Sequence, residues 1–109
     1  MDTKRLSEAI VRLVNLVARL RGPGGCPWDA KQTDDTVKNY LLEEAYEVVD
    51  AVERQDPQLV CGELGDLLFQ IVFMAHLAME RKEFDLADVI EQVEEKMIRR
   101  HPHVFDNIG

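Results

Sequence analysis

Two groups of acids stand where a folding chain would not place them without a reason. Glu43, Glu44 and Glu47 crowd into "LLEEAYEVVDAVE" at 41–53, and Glu63 and Asp66, with Gln70, interrupt the apolar run "LVCGELGDLLFQIVFMAHLAM" at 59–79. On a helix advancing about 100° per residue, Glu47 falls about 40° and Glu44 about 100° from Glu43. Glu44 and Glu47 therefore bracket Tyr40 and Ala51 at the edge of the apolar arc, while Glu43 points further toward solvent. Glu63, Asp66 and Gln70 are spaced i, i+3 and i+7 and form one stripe within about 60°. A buried, unpaired carboxylate costs several kcal/mol or protonates, so a cation must face these acids.

A lysine or arginine of the chain is one candidate, but Lys38 is more than a turn upstream of Glu44 and Arg54 stands at the helix end. A metal is the other. If the two stripes pair across a helix interface, Glu44, Glu47, Glu63 and Asp66 converge as four oxygen donors. Such a set favours Mg²⁺, or Mn²⁺, over zinc, which selects histidine or thiolate. A magnesium ion held by few carboxylates keeps sites for phosphate oxygens, so an acidic protein can hold a polyphosphate through it.

The elements that must position these acids are helices. Apolar residues recur at helical spacing almost throughout, and no segment alternates as a strand does. Four helices are predicted, at about 4–20, from Asp35 or Thr36 to about 54, at 57–81, and from just after Asp85 to before Pro102. "RGPGGCPWD" at 21–29 breaks the first from the second. Asp56 with Pro57 opens the third, and Asp85 with Asp88 has the spacing of a capping box for the fourth. The third helix, apolar on nearly every side, is expected to be largely buried.

The chain has 109 residues, 46% hydrophobic and 31% charged, with a formal net charge of -8 and a pI near 4.8. One domain spanning 1–109 is expected, small enough to need a second subunit for cover. The acidity argues against nucleic acid as a partner. Cys26 and Cys61 are too few for a disulfide scaffold and too far apart for a CxxC metal site, which suits a reducing cytoplasm. No secretory leader is read at the start, and the run 67–79 is too short to span a bilayer, so no membrane partner is expected.

"EEAYE" followed by "ELGD" resembles the EExxE and ExxD pair of the all-α nucleoside triphosphate pyrophosphohydrolases. "GGCPWDAKQT" and "KMIRRHPHVF" are similar to the MazG branch, and the likeness runs from about Leu13 to Phe105. The resemblance implies an all-α, four-helix MazG-like bundle completed by homodimerisation or higher assembly. It implies magnesium-dependent hydrolysis of nucleoside triphosphates between the α and β phosphates, giving monophosphate and pyrophosphate, in the service of nucleotide-pool house-cleaning. Glu44, Glu47, Glu63 and Asp66 would then be metal ligands, and Glu43 would orient or deprotonate the attacking water.

Trp28 and Lys31 follow the glycine-rich turn, where Trp28 would stack on a base or plug the loop into the core, and Lys31 would meet phosphate. Lys96, Arg99 and Arg100 would also meet phosphate, although cations at a helix C-terminus suit its dipole without any ligand. Two positions depart from the pattern. Asp34 replaces the histidine of "QTHESL", and Met74 that of "VFHA". A reading of another class is a helical dimerisation module, such as the first domain of a tandem protein, that binds metal or nucleotide with little turnover.

Overall fold

A computed structural model describes residues 1–106; the last three residues of the span expected to form one domain lie outside the described residues. Among the described residues every regular element is helical: α1 (Thr3–Arg21), α2 (Pro27–Ala30), α3 (Asp34–Glu53), α4 (Pro57–Glu80), α5 (Leu86–Arg100) and α6 (Pro102–Phe105). The all-α reading thus holds. α2 and α6 are single turns that sequence periodicity passed over, and each has proline at its first position, where the missing N–H costs nothing.

Local signals set most boundaries. Asp56 accepts from the N–H groups of Gln58 and Leu59, with Pro57 leading α4. Asp85 and Asp88 exchange the two bonds of a capping box, at 2.9 and 3.0 Å. The start of α3 differs from the expected Asp35 or Thr36: Thr33 is the cap, and Thr36 Oγ1 accepts from the Thr33 N–H at 2.9 Å. The turn after α1 needs its glycines. Gly24 has φ +76°, and a Cβ on Gly25 would lie 2.3 Å from the carbonyl oxygen of Arg19.

α4 is the spine against which α1, α3 and α5 each pack, while no two of those three bring their backbones close together. The core is Val17, Val37, Val72, Phe73 and Leu77, with Leu13, Val14, Phe69, Met74 and Leu86 packed against it. Met74 is therefore a core residue. Asp34, at the other departure, pairs with Arg81 at 3.0 Å and ties the start of α3 to the end of α4.

Within the single chain α4 is covered along only part of its length. Its buried residues, Val72, Phe73, Ala75, Leu77 and Ala78, all lie in its C-terminal half, which carries the α4 part of the core shared with Val17 of α1, Val37 of α3 and Leu86 of α5. Further toward its start Leu64, Leu68 and Ile71 are open. The expected length limit also falls, because the 24-residue α4, with hydropathy 1.4, is long and apolar enough to cross a membrane. The core helix of a soluble protein passes the same test, so this establishes nothing about a membrane. The radius of gyration is 16.6 Å, against about 13 Å for a compact domain of this length.

At one end of the spine Arg21 pairs with Glu80 at 2.6 Å, and His76 Nε2 lies 3.1 Å from the same carboxylate. The hydrogen bond from Arg21, opposed by partial burial and aided by the charge of Arg21 and by His76, holds the Glu80 carboxyl below its ordinary value of 4.5. A lowered carboxylate pKa contributes stability that is present above the ordinary value and lost as pH falls through the folded one. Glu80→Gln should therefore flatten the fall in melting temperature below about pH 4.5, measured by thermal denaturation across pH. An unchanged acid limb would deny this pair its part in stability.

Candidate metal centre

α3 and α4 run as neighbours, and their acidic stripes meet. One carboxylate oxygen each from Glu44, Glu63 and Asp66 lies within 4.8 Å of the others. Glu44 is half-buried, and its Oε2 is buried without any hydrogen-bond partner. Burial first, then the negative charges of Asp66, Glu63 and Glu47, push the Glu44 carboxyl above its ordinary value. An orphaned buried carboxylate oxygen beside two more acids is a donor set suited to a cation.

None of the chain's lysines or arginines makes an ion pair with Glu44, Glu47, Glu63 or Asp66 among the described residues. Lys38 goes to Asp35 and Arg54 to Asp50. The residues present fit a hard divalent ion, since every donor is oxygen. Glu44, Glu63 and Asp66 would hold it.

The remaining expected site residues divide. Glu47 is exposed and outside the three-acid group, though near enough to act on Glu44. Glu43 is exposed on the neighbouring face of α3. Trp28 is neither free in solvent nor a plug in the core: the residue is 56% exposed and its ring centroid lies 5.7 Å from that of Tyr40. Tyr40 precedes Glu44 by one turn, as Gln70 follows Asp66 by one, and Trp28, Gln32, Tyr40 and Gln70 line one small cleft. The cleft therefore adjoins the acids at about one helical pitch, 5.4 Å.

Lys31 is exposed on the same loop. Lys96, Arg99 and Arg100 are not brought to the acids by any ion pair or hydrogen bond to α3 or α4. Lys96 lines a groove with Phe84, Asp88 and Gln92, and Arg99 reaches Glu95 at 3.9 Å. The cavity between α4 and α5 is lined by α5 only through Leu86, Ala87 and Ile90, which places the contact at the opposite end of α5 from these cations.

The sequence reading left Tyr40 and Gln32 without roles and did not single out Arg21 or Glu80. Tyr40 had a usable signal, standing one turn before Glu44 on the same side of the helix.

Fold and site define a class, an all-helical chain with an oxygen-only acidic cluster between two adjacent helices. The MazG nucleotide pyrophosphohydrolase domain matches residues 32–105, which contain all five acids named above and follow Trp28 and Lys31. The chain belongs to the MazG family. It is 50% identical over 93 residues to the Thermotoga maritima protein named nucleoside triphosphate pyrophosphohydrolase/pyrophosphatase MazG, an alignment covering 85% of this chain and 36% of that one. It is 53% identical over 97 residues to the Escherichia coli K12 nucleoside triphosphate pyrophosphohydrolase, covering 88% and 37%. The uncharacterized protein YabN of Bacillus subtilis is 44% identical over 107 residues, covering 98% and 22%. The chain thus spans about a third of the length of the first two relatives.

Proposed function

We propose that the chain hydrolyses nucleoside triphosphates, ribose or deoxyribose, between the α and β phosphates, with Mg²⁺ held by Glu44, Glu63 and Asp66 and supported by Glu47. The observation that carries this reading is the Glu44 carboxylate, whose Oε2 is buried without a partner and one of whose oxygens lies within 4.8 Å of oxygens of Glu63 and Asp66. The relatives' names give the substrate class. When bound, the ion supplies charge neutralisation for the phosphate oxygens; Mn²⁺ would serve similarly. Glu43 orients a water and takes its proton as the oxygen attacks phosphorus, the P–O bond between α and β phosphates breaks, and pyrophosphate leaves. Trp28 and Tyr40 offer aromatic surface to the base, and Lys31 offers charge to phosphate. House-cleaning of the nucleotide pool is the corresponding role.

Product analysis tests it. Monophosphate and pyrophosphate should form with Mg²⁺ and not without it. Diphosphate and orthophosphate would sink the assignment, and tight nucleotide binding with no turnover on any triphosphate would favour the dimerisation module instead.

A homodimer completes the proposal. Leu42, Tyr46, Val49 and Val52 on α3 are 59%, 68%, 54% and 56% exposed, and Leu64, Leu68 and Ile71 on α4 repeat at i, i+4 and i+7. Two open apolar stripes on one hairpin, in a chain more extended than its length warrants, call for a second copy. The partner would also be the source of Lys96, Arg99 and Arg100 at the phosphates. Light scattering should give a dimer or larger assembly. A stable folded monomer at micromolar concentration would contradict this.

A further inference from the structure

Arg21 closes α1 and reaches across to the loop that carries Trp28. Its Nη1 donates to the carbonyl oxygens of Asp29 at 2.8 Å, Ala30 at 3.2 Å and Gln32 at 3.1 Å. The opposite edge of the guanidinium is fixed by Glu80, with Nε to Oε2 at 2.9 Å and Nη2 to Oε1 at 2.6 Å. Its plane lies over Phe73, with Cζ 5.7 Å from the ring centroid, and the side chain is only 13% exposed.

The loop needs such a clamp. α2 is four residues long and cannot hold itself as a helix, and Arg21 adds a donor to the carbonyls of Asp29 and Ala30 at its end and of Gln32 just beyond it. Gln32 Nε2 takes the carbonyl of Trp28 at 2.9 Å. The backbone under Trp28 is thereby fixed at four carbonyls, Trp28, Asp29, Ala30 and Gln32, three of them by one side chain. Lysine carries the same charge but no planar fork, and cannot grip Glu80 along one edge while donating to several carbonyls from the other.

We infer that Arg21, held by Glu80, is a positioning residue that sets the Trp28–Tyr40 surface for the base of the nucleoside triphosphate, and so governs nucleotide affinity without touching substrate or metal. The inference rests on the proposed nucleotide role of the Trp28 loop. Trp28 is the chain's one tryptophan, so its emission reports on this loop alone.

The test compares Arg21→Lys with wild type, as full chains, by acrylamide quenching of Trp28 without nucleotide, and compares both with Trp28→Ala by Mn²⁺ affinity and by steady-state kinetics, or nucleotide Kd where turnover is absent. In Arg21→Lys, Trp28 should become more quenchable and KM should rise about 10-fold, the scale of a partly lost base–aromatic stack. Its kcat should stay within about threefold, with Mn²⁺ affinity unchanged. A general loss of packing would instead lower kcat and metal affinity together. Unchanged quenching overturns the clamp, and so does an unchanged KM when Trp28→Ala raises it. If Trp28→Ala itself leaves KM unchanged, the loop's nucleotide role fails, while quenching still decides whether Arg21 holds it. Should Arg21→Lys not fold, Glu80→Gln removes the charge that aims Arg21 and is read in the same way.

Discussion

Glu44→Gln or Glu63→Gln should leave a folded, all-helical protein whose Mg²⁺-dependent hydrolysis is lower by more than about 100-fold, since groups that merely support a metal ligand already cost about 10- to 100-fold. Glu47→Gln should cost less, because Glu47 stands outside the group formed by Glu44, Glu63 and Asp66. Stability should move the other way. The Glu44 carboxyl is pushed above its ordinary value by burial and by the neighbouring acids. A raised carboxylate pKa contributes stability that is present below the ordinary value and lost as pH rises through the folded one. At neutral pH the metal-free protein carries that loss, and glutamine removes it. The melting temperature of metal-free Glu44→Gln should therefore equal or exceed that of wild type at neutral pH, with the advantage vanishing in acid. A fall at neutral pH with activity retained would show Glu44 to be a structural acid with a satisfied partner.

Glu43→Gln should lower kcat by about 100-fold or more, the usual scale for a lost general base, and leave Mn²⁺ and nucleotide affinity near wild type. Glu43 is exposed and makes no ion pair among the described residues. Calorimetry run beside pyrophosphate release separates three outcomes. Loss of kcat alone marks a base, loss of metal affinity marks a ligand, and loss of neither marks a solvated face.

What the sequence made legible was local. The Asp56–Pro57 start and the Asp85–Asp88 box involve residues within three positions of each other, and their geometry followed from type and spacing. The acidic stripes were legible because helical periodicity fixes which residues share a face, and adjacent helices in sequence pair most readily in space. Thr33 beat Asp35 as the cap of α3 because Thr36 returns a bond to its N–H, a reciprocity that no single residue type announces. Which part of α4 its own chain covers was not legible, because an apolar surface in sequence does not say whether its own chain or a second copy covers it; Leu64 and Leu68 are open in the single chain. Arg21 was missed for another reason: its partner Glu80 lies 59 residues away, and three of its bonds go to backbone.

The central claim is that Glu44, Glu63 and Asp66 are a divalent-cation site, and Mn²⁺ titration followed by electron paramagnetic resonance tests it without requiring turnover. Wild-type protein should remove free Mn²⁺ with saturable, one-site behaviour per chain, Mg²⁺ should compete, and Glu63→Gln should weaken binding by more than about 10-fold. Equal Mn²⁺ binding by wild type and by folded Glu63→Gln would contradict the account.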